Sequence, residues 1–232
     1  MIFSMSRVIA ISDIHGEYDK LKSLWDKLQV TPQDRVIFLG DYIDRGTQTT
    51  QVMQFVLSLK DQPNITFLRG NHEQMMLEFY HDNNDDWLHN GAKTTLTSFK
   101  ENNDLALDFI SFCKTLNFYT RLKINDSFYV FCHAGIDPQL PFEEQDAQAL
   151  IWIREDFYDF YEGKDFYVVG HTPTIYLDET SPSHFCYNAV NDLYVPKFFN
   201  NIYCIDTGSF LPNGKITAFI HDYESVSFLQ SN

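Results

Sequence analysis

Five short stretches carry side chains able to hold cations and move protons. "SDIHG" offers Asp13 and His15, "GDYIDRG" offers Asp41, Asp44 and Arg45, and "RGNHE" offers Arg69, Asn71, His72 and Glu73. "CHAG" adds His133 and "GHTP" adds His171. Imidazole, carboxylate and amide oxygen without a thiolate form a donor set for Mn²⁺, Zn²⁺ or iron. An aspartate standing between two such ions can bridge them, and Asp41 is the middle candidate. Two ions about 3.5–4 Å apart clamp the attacking and leaving oxygens of an in-line displacement and acidify a bound water. Helix capping by Asn71 and dipole pairing by Glu73 explain part of the "GNHE" corner, but neither explains His72.

The apolar pattern places these groups at the ends of strands. "RVIAIS" (7–12), "RVIFLG" (35–40) and "NITFL" (64–68) read as strands. Between them, Leu21, Leu24, Trp25 and Leu28, then Val52, Phe55, Val56 and Leu59, mark amphipathic helices. Such alternation predicts parallel βαβ units in an α/β fold. Residues 91–117 read as mostly helical. Segments 118–124 and 127–133 read as a hairpin turning at Asn125-Asp126. A short helix is expected over 143–150 and another from Arg154, with further strands at 165–170, 201–206, 215–220 and 225–229. The motifs therefore fall past the carboxyl ends of five strands, where open α/β sheets bind their ligands. Residues 174–200 read as an irregular aromatic stretch, either a strand pair or a wall over the site. Without a repeat or linker, residues 1–232 are expected to form one domain.

Composition narrows the partners. Of 232 residues, 44% are hydrophobic and 16% aromatic, enough for a full core with rings to spare. A formal charge of −15 opposes counterion-release binding to nucleic acid and to anionic membranes. The four cysteines form no CxxC pair, no leader pattern opens the chain and no run is long enough to span a membrane; a reducing cytoplasm is the expected compartment. His81, His89, His184 and His221 fall outside the motifs and are expected to be ordinary surface or core histidines. Trp87 and Asn90 either line the cleft or serve in helix capping.

"DIHG", "GDYIDRG", "GNHE", "HAG" and "GHT", in this order, resemble the signature of the metal-dependent phosphoprotein phosphatases within the calcineurin-like metallophosphoesterases. That family includes serine/threonine phosphatases, their bacterial and phage relatives, and symmetrical diadenosine tetraphosphate hydrolases. "IDTG" (205–208) extends the likeness. Ser12 and Ala134 replace glycines usual elsewhere in the family, and neither is a ligand position. The resemblance implies a four-layer αββα sandwich with a dimetal site at the carboxyl ends of the strands. It implies that Asp13, His15 and Asp41 bind one ion, and that Asp41, Asn71, His133 and His171 bind the second. Mn²⁺ is the first choice, with iron or zinc as substitutes. It further implies direct attack by a metal-bridging hydroxide, His72 as general acid, Asp44 as its partner, and Arg45, Arg69 and Arg154 as phosphate ligands.

The expected substrate is phosphoserine or phosphothreonine in proteins. The alternatives are a dinucleoside polyphosphate or another small phosphoester and, in a different class, a non-catalytic metal-binding module. The acidic composition weighs against a substrate with four phosphates, although metals and arginines can supply a local field.

Overall fold

The computed structural model describes residues 6–178, 180, 184–186 and 194–232. The chain runs β1 (Val8–Ile11), α1 (Tyr18–Leu28), β2 (Arg35–Phe38), α2 (Thr49–Leu59), β3 (Ile65–Phe67), α3 (Asn71–Asp82), α4 (Asp86–His89), α5 (Lys93–Glu101) and α6 (Asn103–Cys113). It continues with β4 (Tyr119–Ile124), β5 (Ser127–Cys132), α7 (Ala147–Trp152), α8 (Glu155–Phe160), β6 (Phe166–Val169), β7 (Lys197–Phe199), β8 (Ile202–Cys204), β9 (Thr217–His221) and β10 (Val226–Gln230).

The strands form two mixed sheets, ordered β10-β9-β1-β2-β3 and β4-β5-β6-β8-β7. Each contains a parallel trio, β1-β2-β3 in one and β5-β6-β8 in the other. Antiparallel strands flank both trios.

Alternation along the strands builds the layers. In β1, Ile9 and Ile11 join the core shared with the first-half helices, while Val8 and Ala10 face the second sheet. In β5, Val130 and Cys132 pack toward α7 and α8, while Tyr129 and Phe131 fill the space between sheets. Three apolar layers thus separate helices, sheet, sheet and helices, giving the expected αββα sandwich. Each buried core side chain of Ile, Leu or Phe size contributes about 1.5–3 kcal/mol.

Element boundaries differ locally from the sequence expectation. The helix expected over 143–150 is a single 3₁₀ turn, Phe142–Glu144, followed by α7. Asp146 starts α7 by accepting the Ala149 N–H at 2.7 Å. The long helical stretch breaks at Asn102, which ends α5 and begins α6. Within 174–200, β7 pairs with β8, and Leu177 bridges Phe185 after a 3₁₀ turn at Thr174–Tyr176. Residues 179, 181–183 and 187–193 of that stretch lie outside the described set. No helix among the described residues is long and apolar enough to cross a membrane.

Candidate active site

The two parallel trios end at one place. Past β1 come Asp13 and His15; past β2, Asp41, Asp44 and Arg45; past β3, Asn71 and His72. From the other sheet, β5 delivers His133, β6 delivers His171 and β8 delivers Asp206. Backbone bonds lock the first two loops together, since the N–H groups of Ile14 and His15 both donate to the Asp41 carbonyl at 2.9 Å.

The local backbone is unusual. His15, Asp41, Asp44, Arg45 and His171 all have positive φ, between 47° and 72°. Each non-glycine residue there costs about 1 kcal/mol or more, and such strain persists only where surrounding structure enforces it. Here it turns consecutive polar side chains toward one mouth. Two glycines are sterically required nearby: a Cβ on Gly70 would strike Asp41 Oδ1, and one on Gly170 would strike Asp13 Oδ2.

Asp41 is the hub of two buried triads, His15-Asp41-His72 and Asp41-His133-His171, whose ligand atoms lie within 4.8 Å of one another. Its Oδ2 stands 3.3 Å from His133 Nε2, 3.5 Å from His15 Nε2 and 3.9 Å from His72 Nε2. Asp13 Oδ1 accepts the His171 N–H at 2.9 Å, while its buried Oδ2 has no hydrogen-bond partner.

The imidazoles are oriented from behind. His15 Nδ1 bonds the Ile43 carbonyl at 3.0 Å, His133 Nδ1 the Leu39 carbonyl at 3.0 Å, and His171 Nε2 the Trp152 carbonyl at 3.2 Å. Those bonds use one ring N–H each, so the other ring nitrogen of a neutral imidazole presents a lone pair. His133 Nε2 and His171 Nδ1 then converge on Asn71 Oδ1, also an acceptor, at 2.9 and 3.0 Å. Asn71 Oδ1, the His171 Nδ1 lone pair and His133 Nε2, whose proton a metal would displace, converge beside an orphaned carboxylate oxygen and fit a bound cation.

The electrostatics agree. Burial and the neighbouring Asp206 push Asp13 well above the usual carboxylate range. Burial also acts to raise Asp41, but His133, His72 and His15 outweigh it and hold Asp41 well below that range. Burial acts to lower His133, yet Asp41 carries it up to about 9. Burial, then Arg45, holds His15 well below its ordinary value; burial, then Arg154, does so for His171. A divalent cation relieves this crowding of buried carboxylates and gives the neutral imidazoles a partner.

His72 is held separately. Its Nδ1 lies 2.6 Å from Asp44 Oδ2, and its Nε2 lies 3.2 Å from Arg45 Nη2 at the mouth. Arg45 also reaches His15 Nε2 at 3.1 Å and lies over the Phe210 ring at 4.0 Å. Arg154 donates to the His171 carbonyl at 3.1 Å and to Thr172 Oγ1 at 2.7 Å. With His171, Pro173, Tyr176, Phe185 and Phe210, these two arginines line a cavity of about 310 Å³.

Arg69 is not brought there. Its guanidinium bonds Gln74 Oε1 at 2.9 Å and the Lys114 carbonyl at 3.0 Å, and lies over Phe118. It lines a different depression, with Gln74, Leu77, Glu78 and His81. The residue precedes the tight Gly70 turn and leaves the strand on the α6 side.

The supporting roles of several residues were not readable from the sequence. Glu73 is buried and accepts the N–H groups of Asp41, Tyr42 and Gly70 at 2.8, 2.9 and 3.1 Å. It therefore pins the loop that carries Asp41, beyond pairing with a helix dipole, and burial with Asp41 nearby pushes it up to about 7. Asn71 is the first residue of α3 and Gly70 its cap, which frees the amide for the cluster. Trp87 is fully buried and donates to Asp44, while Asn90 bonds the Asp86 carbonyl. Asp206, raised to about 6 by burial, was visible only as the acid in "IDTG" at a strand end.

The chain matches the family model described as calcineurin-like phosphoesterase over residues 6–217. Among curated proteins, the asymmetrical bis(5'-nucleosyl)-tetraphosphatase PrpE of Bacillus velezensis is 28% identical over 247 residues, covering 94% of this chain and 90% of that protein. Serine/threonine-protein phosphatase 2 of Escherichia coli is 27% identical over 193 residues, covering 75% and 87%. A solved structure provisionally assigned as a diadenosine tetraphosphatase superposes with a TM-score of 0.70 at 16% identity, covering 100% of this chain and 96% of that one, a likeness of fold.

Proposed function

The chain belongs to the calcineurin-like phosphoesterase family, and from that premise we propose that this metal-dependent phosphoesterase hydrolyses dinucleoside polyphosphates. The observation that carries the substrate class is the cavity beside the metal cluster, where two arginines suited to phosphate face three aromatic rings. The PrpE relatives, matched along nearly their whole length and named as tetraphosphatases, support the same reading. The acidic composition weighs less than it does from sequence alone, because Arg45 and Arg154 make this one cavity locally basic.

In this reading Asp13, His15 and Asp41 would hold one ion, and Asp41, Asn71, His133 and His171 would hold the other, with Mn²⁺ the first candidate. When bound, the two ions supply an acidified water and neutralise charge on the phosphoryl group. Arg45 and Arg154 orient the phosphoryl oxygens, since a planar guanidinium engages two oxygens together. His72 Nε2 protonates the leaving oxygen, while Asp44 on Nδ1 fixes the ring and stabilises the charge it carries.

A second reading, hydrolysis of phosphoserine or phosphothreonine in proteins, is favoured by the Escherichia coli phosphatase relative. The test is kcat/KM with Mn²⁺ on diadenosine tetraphosphate and on a phosphothreonine peptide, with Asp41→Asn as the blank. A preference for the dinucleotide of a hundredfold or more is expected. The reverse preference overturns the reading in favour of protein substrates.

A further inference from the structure

Resting on the dinucleoside reading, we infer that Tyr176 and Phe185 form a stacking site for one nucleobase, which binds through its ring face with no readout of its edge.

The sequence around these rings separates core from cavity. Ile175 and Leu177 are buried, whereas Tyr176 between them is only half-buried and lines the cavity. Phe185, half-buried where it packs against the second-sheet core, lines the same space. Main-chain bonds fix the two segments against each other: Cys186 N–H donates to the Tyr176 carbonyl at 2.8 Å, and Asp178 N–H to the His184 carbonyl at 2.6 Å. Both rings therefore stand on a braced antiparallel pairing, which limits the entropy lost when a ligand docks.

Phe210 forms the inner wall. It lies edge-on to His15, with ring centroids 5.1 Å apart, and beneath Arg45 at 4.0 Å. The space between is about 310 Å³, at the small end of ligand cavities, which run to roughly 300–1,000 Å³. That volume is on the scale of one nucleoside. A phosphate chain leaving that nucleoside passes Arg154 and Arg45 on its way to the metal cluster.

The chemistry of the lining determines how the base is read. Among the described residues, the lining consists of two arginines, a histidine, a proline and three aromatic rings, with no amide or carboxylate side chain. An arginine can also read a guanine edge, but Arg45 is held by His15 and His72, and Arg154 by the His171 carbonyl and Thr172. Stacking on aromatic faces tolerates any base and gives on the order of tenfold or more in affinity per base. The site thus distinguishes a nucleotide from a bare phosphate chain while accepting adenine and guanine alike.

The experiment measures kcat/KM for diadenosine tetraphosphate, diguanosine tetraphosphate and inorganic tetraphosphate on wild type, Phe185→Tyr, Phe185→Leu and Phe185→Ala. Wild type is expected to handle the two dinucleotides within about fivefold. The ratio of dinucleotide to inorganic tetraphosphate is expected to fall about tenfold or more in the Leu and Ala variants, chiefly through KM, and to hold in the Tyr variant. A hundredfold preference between the two bases, or an unchanged ratio in Phe185→Leu, overturns the inference.

If wild type prefers a phosphopeptide, the dinucleoside reading has failed, and the stacking site is tested separately by calorimetry of adenosine monophosphate on Asp41→Asn protein. Binding that weakens at least fivefold on adding Phe185→Leu supports the site. No measurable binding, or binding indifferent to Phe185, overturns it.

Discussion

Asp44 holds the His72 ring at 2.6 Å while accepting two further hydrogen bonds, from Trp87 Nε1 at 2.7 Å and Thr95 Oγ1 at 2.6 Å. The carboxylate is buried, and His72, Trp87 and Thr95 fix its position from three directions. A proton-transfer group needs such support, because small errors in its direction are costly in rate.

His72→Asn is therefore expected to lower kcat by about 10²- to 10⁴-fold on a phosphothreonine peptide, whose alkoxide must be protonated as it leaves. The loss should be smaller on diadenosine tetraphosphate, whose phosphate leaving group is far less basic. Steady-state kinetics on both substrates checks this, and equal losses would remove His72 from the role of general acid.

Trp87→Phe keeps the ring packed and deletes one donor to Asp44. We expect kcat to fall about tenfold with KM nearly unchanged, since one hydrogen bond to a charged group is worth about 1.5–3 kcal/mol. The pH–rate profile should also shift relative to wild type. A rise in KM alone, with the profile unmoved, would mean that the indole shapes the cleft and leaves the acid alone.

The arginines separate into two kinds. Arg45→Ala and Arg154→Ala each should cost at least about tenfold in kcat/KM, the scale of losing a charge-assisted contact. Arg69→Ala should leave KM within about twofold and lower stability by about 1 kcal/mol, through lost bonds to Gln74 and the Lys114 carbonyl. Kinetics beside urea titrations of the three variants distinguishes them.

Metal should act on stability as well as on rate. Saturating Mn²⁺ at about a thousandfold above Kd stabilises a single-site protein by about 4 kcal/mol. Thermal unfolding with Mn²⁺ and after chelation should differ by several degrees in wild type and by much less in Asp41→Asn, because Asp41 serves both triads. A shift preserved in Asp41→Asn would locate the bound ion elsewhere.

Far from the site, Asp34 ties the start of β1 to the end of α1. It accepts from Arg7 Nε at 2.9 Å, Arg7 Nη2 at 2.6 Å and Thr31 N at 2.8 Å, and Arg7 Nη2 also reaches the Leu28 carbonyl at 3.1 Å. Burial acts to raise Asp34, but Arg7 and Thr31 outweigh it and hold the carboxyl below its ordinary value. A depressed folded pKa gives stability that is present above the unfolded value and lost as pH falls through the folded one. Asp34→Asn should thus cost about 2 kcal/mol near neutral pH. The gap from wild type should close below about pH 4 in urea titrations.

Much of this was legible because the chemistry sits at strand ends and the strands announce themselves. The runs 7–12, 35–40 and 64–68 overlap β1, β2 and β3, and the motif residues follow each. What sequence could not supply is direction. Arg69 stands one residue from Gly70 in a motif, yet its side chain leaves on the far side of the turn, where Phe118 and Lys114 receive it. Thr95 is an ordinary helix residue until the fold sets it against Asp44, 51 positions away in sequence. Glu73 reads as a helix-start acid because its three backbone partners are visible only after β2 and β3 pair.

The place of β9 between β10 and β1 bears on how the molecule is made. The first sheet has β1, β2 and β3 within its first 67 residues, but the free edge of β1 is closed only by Thr217–His221. On the ribosome that apolar edge waits, unpaired, through synthesis of the entire second sheet, and such edges recruit other chains. The nascent protein should therefore lean on chaperones until residues 217–221 emerge. Ribosome-stalled chains ending before and after that strand should differ sharply in protease resistance of the amino-terminal half.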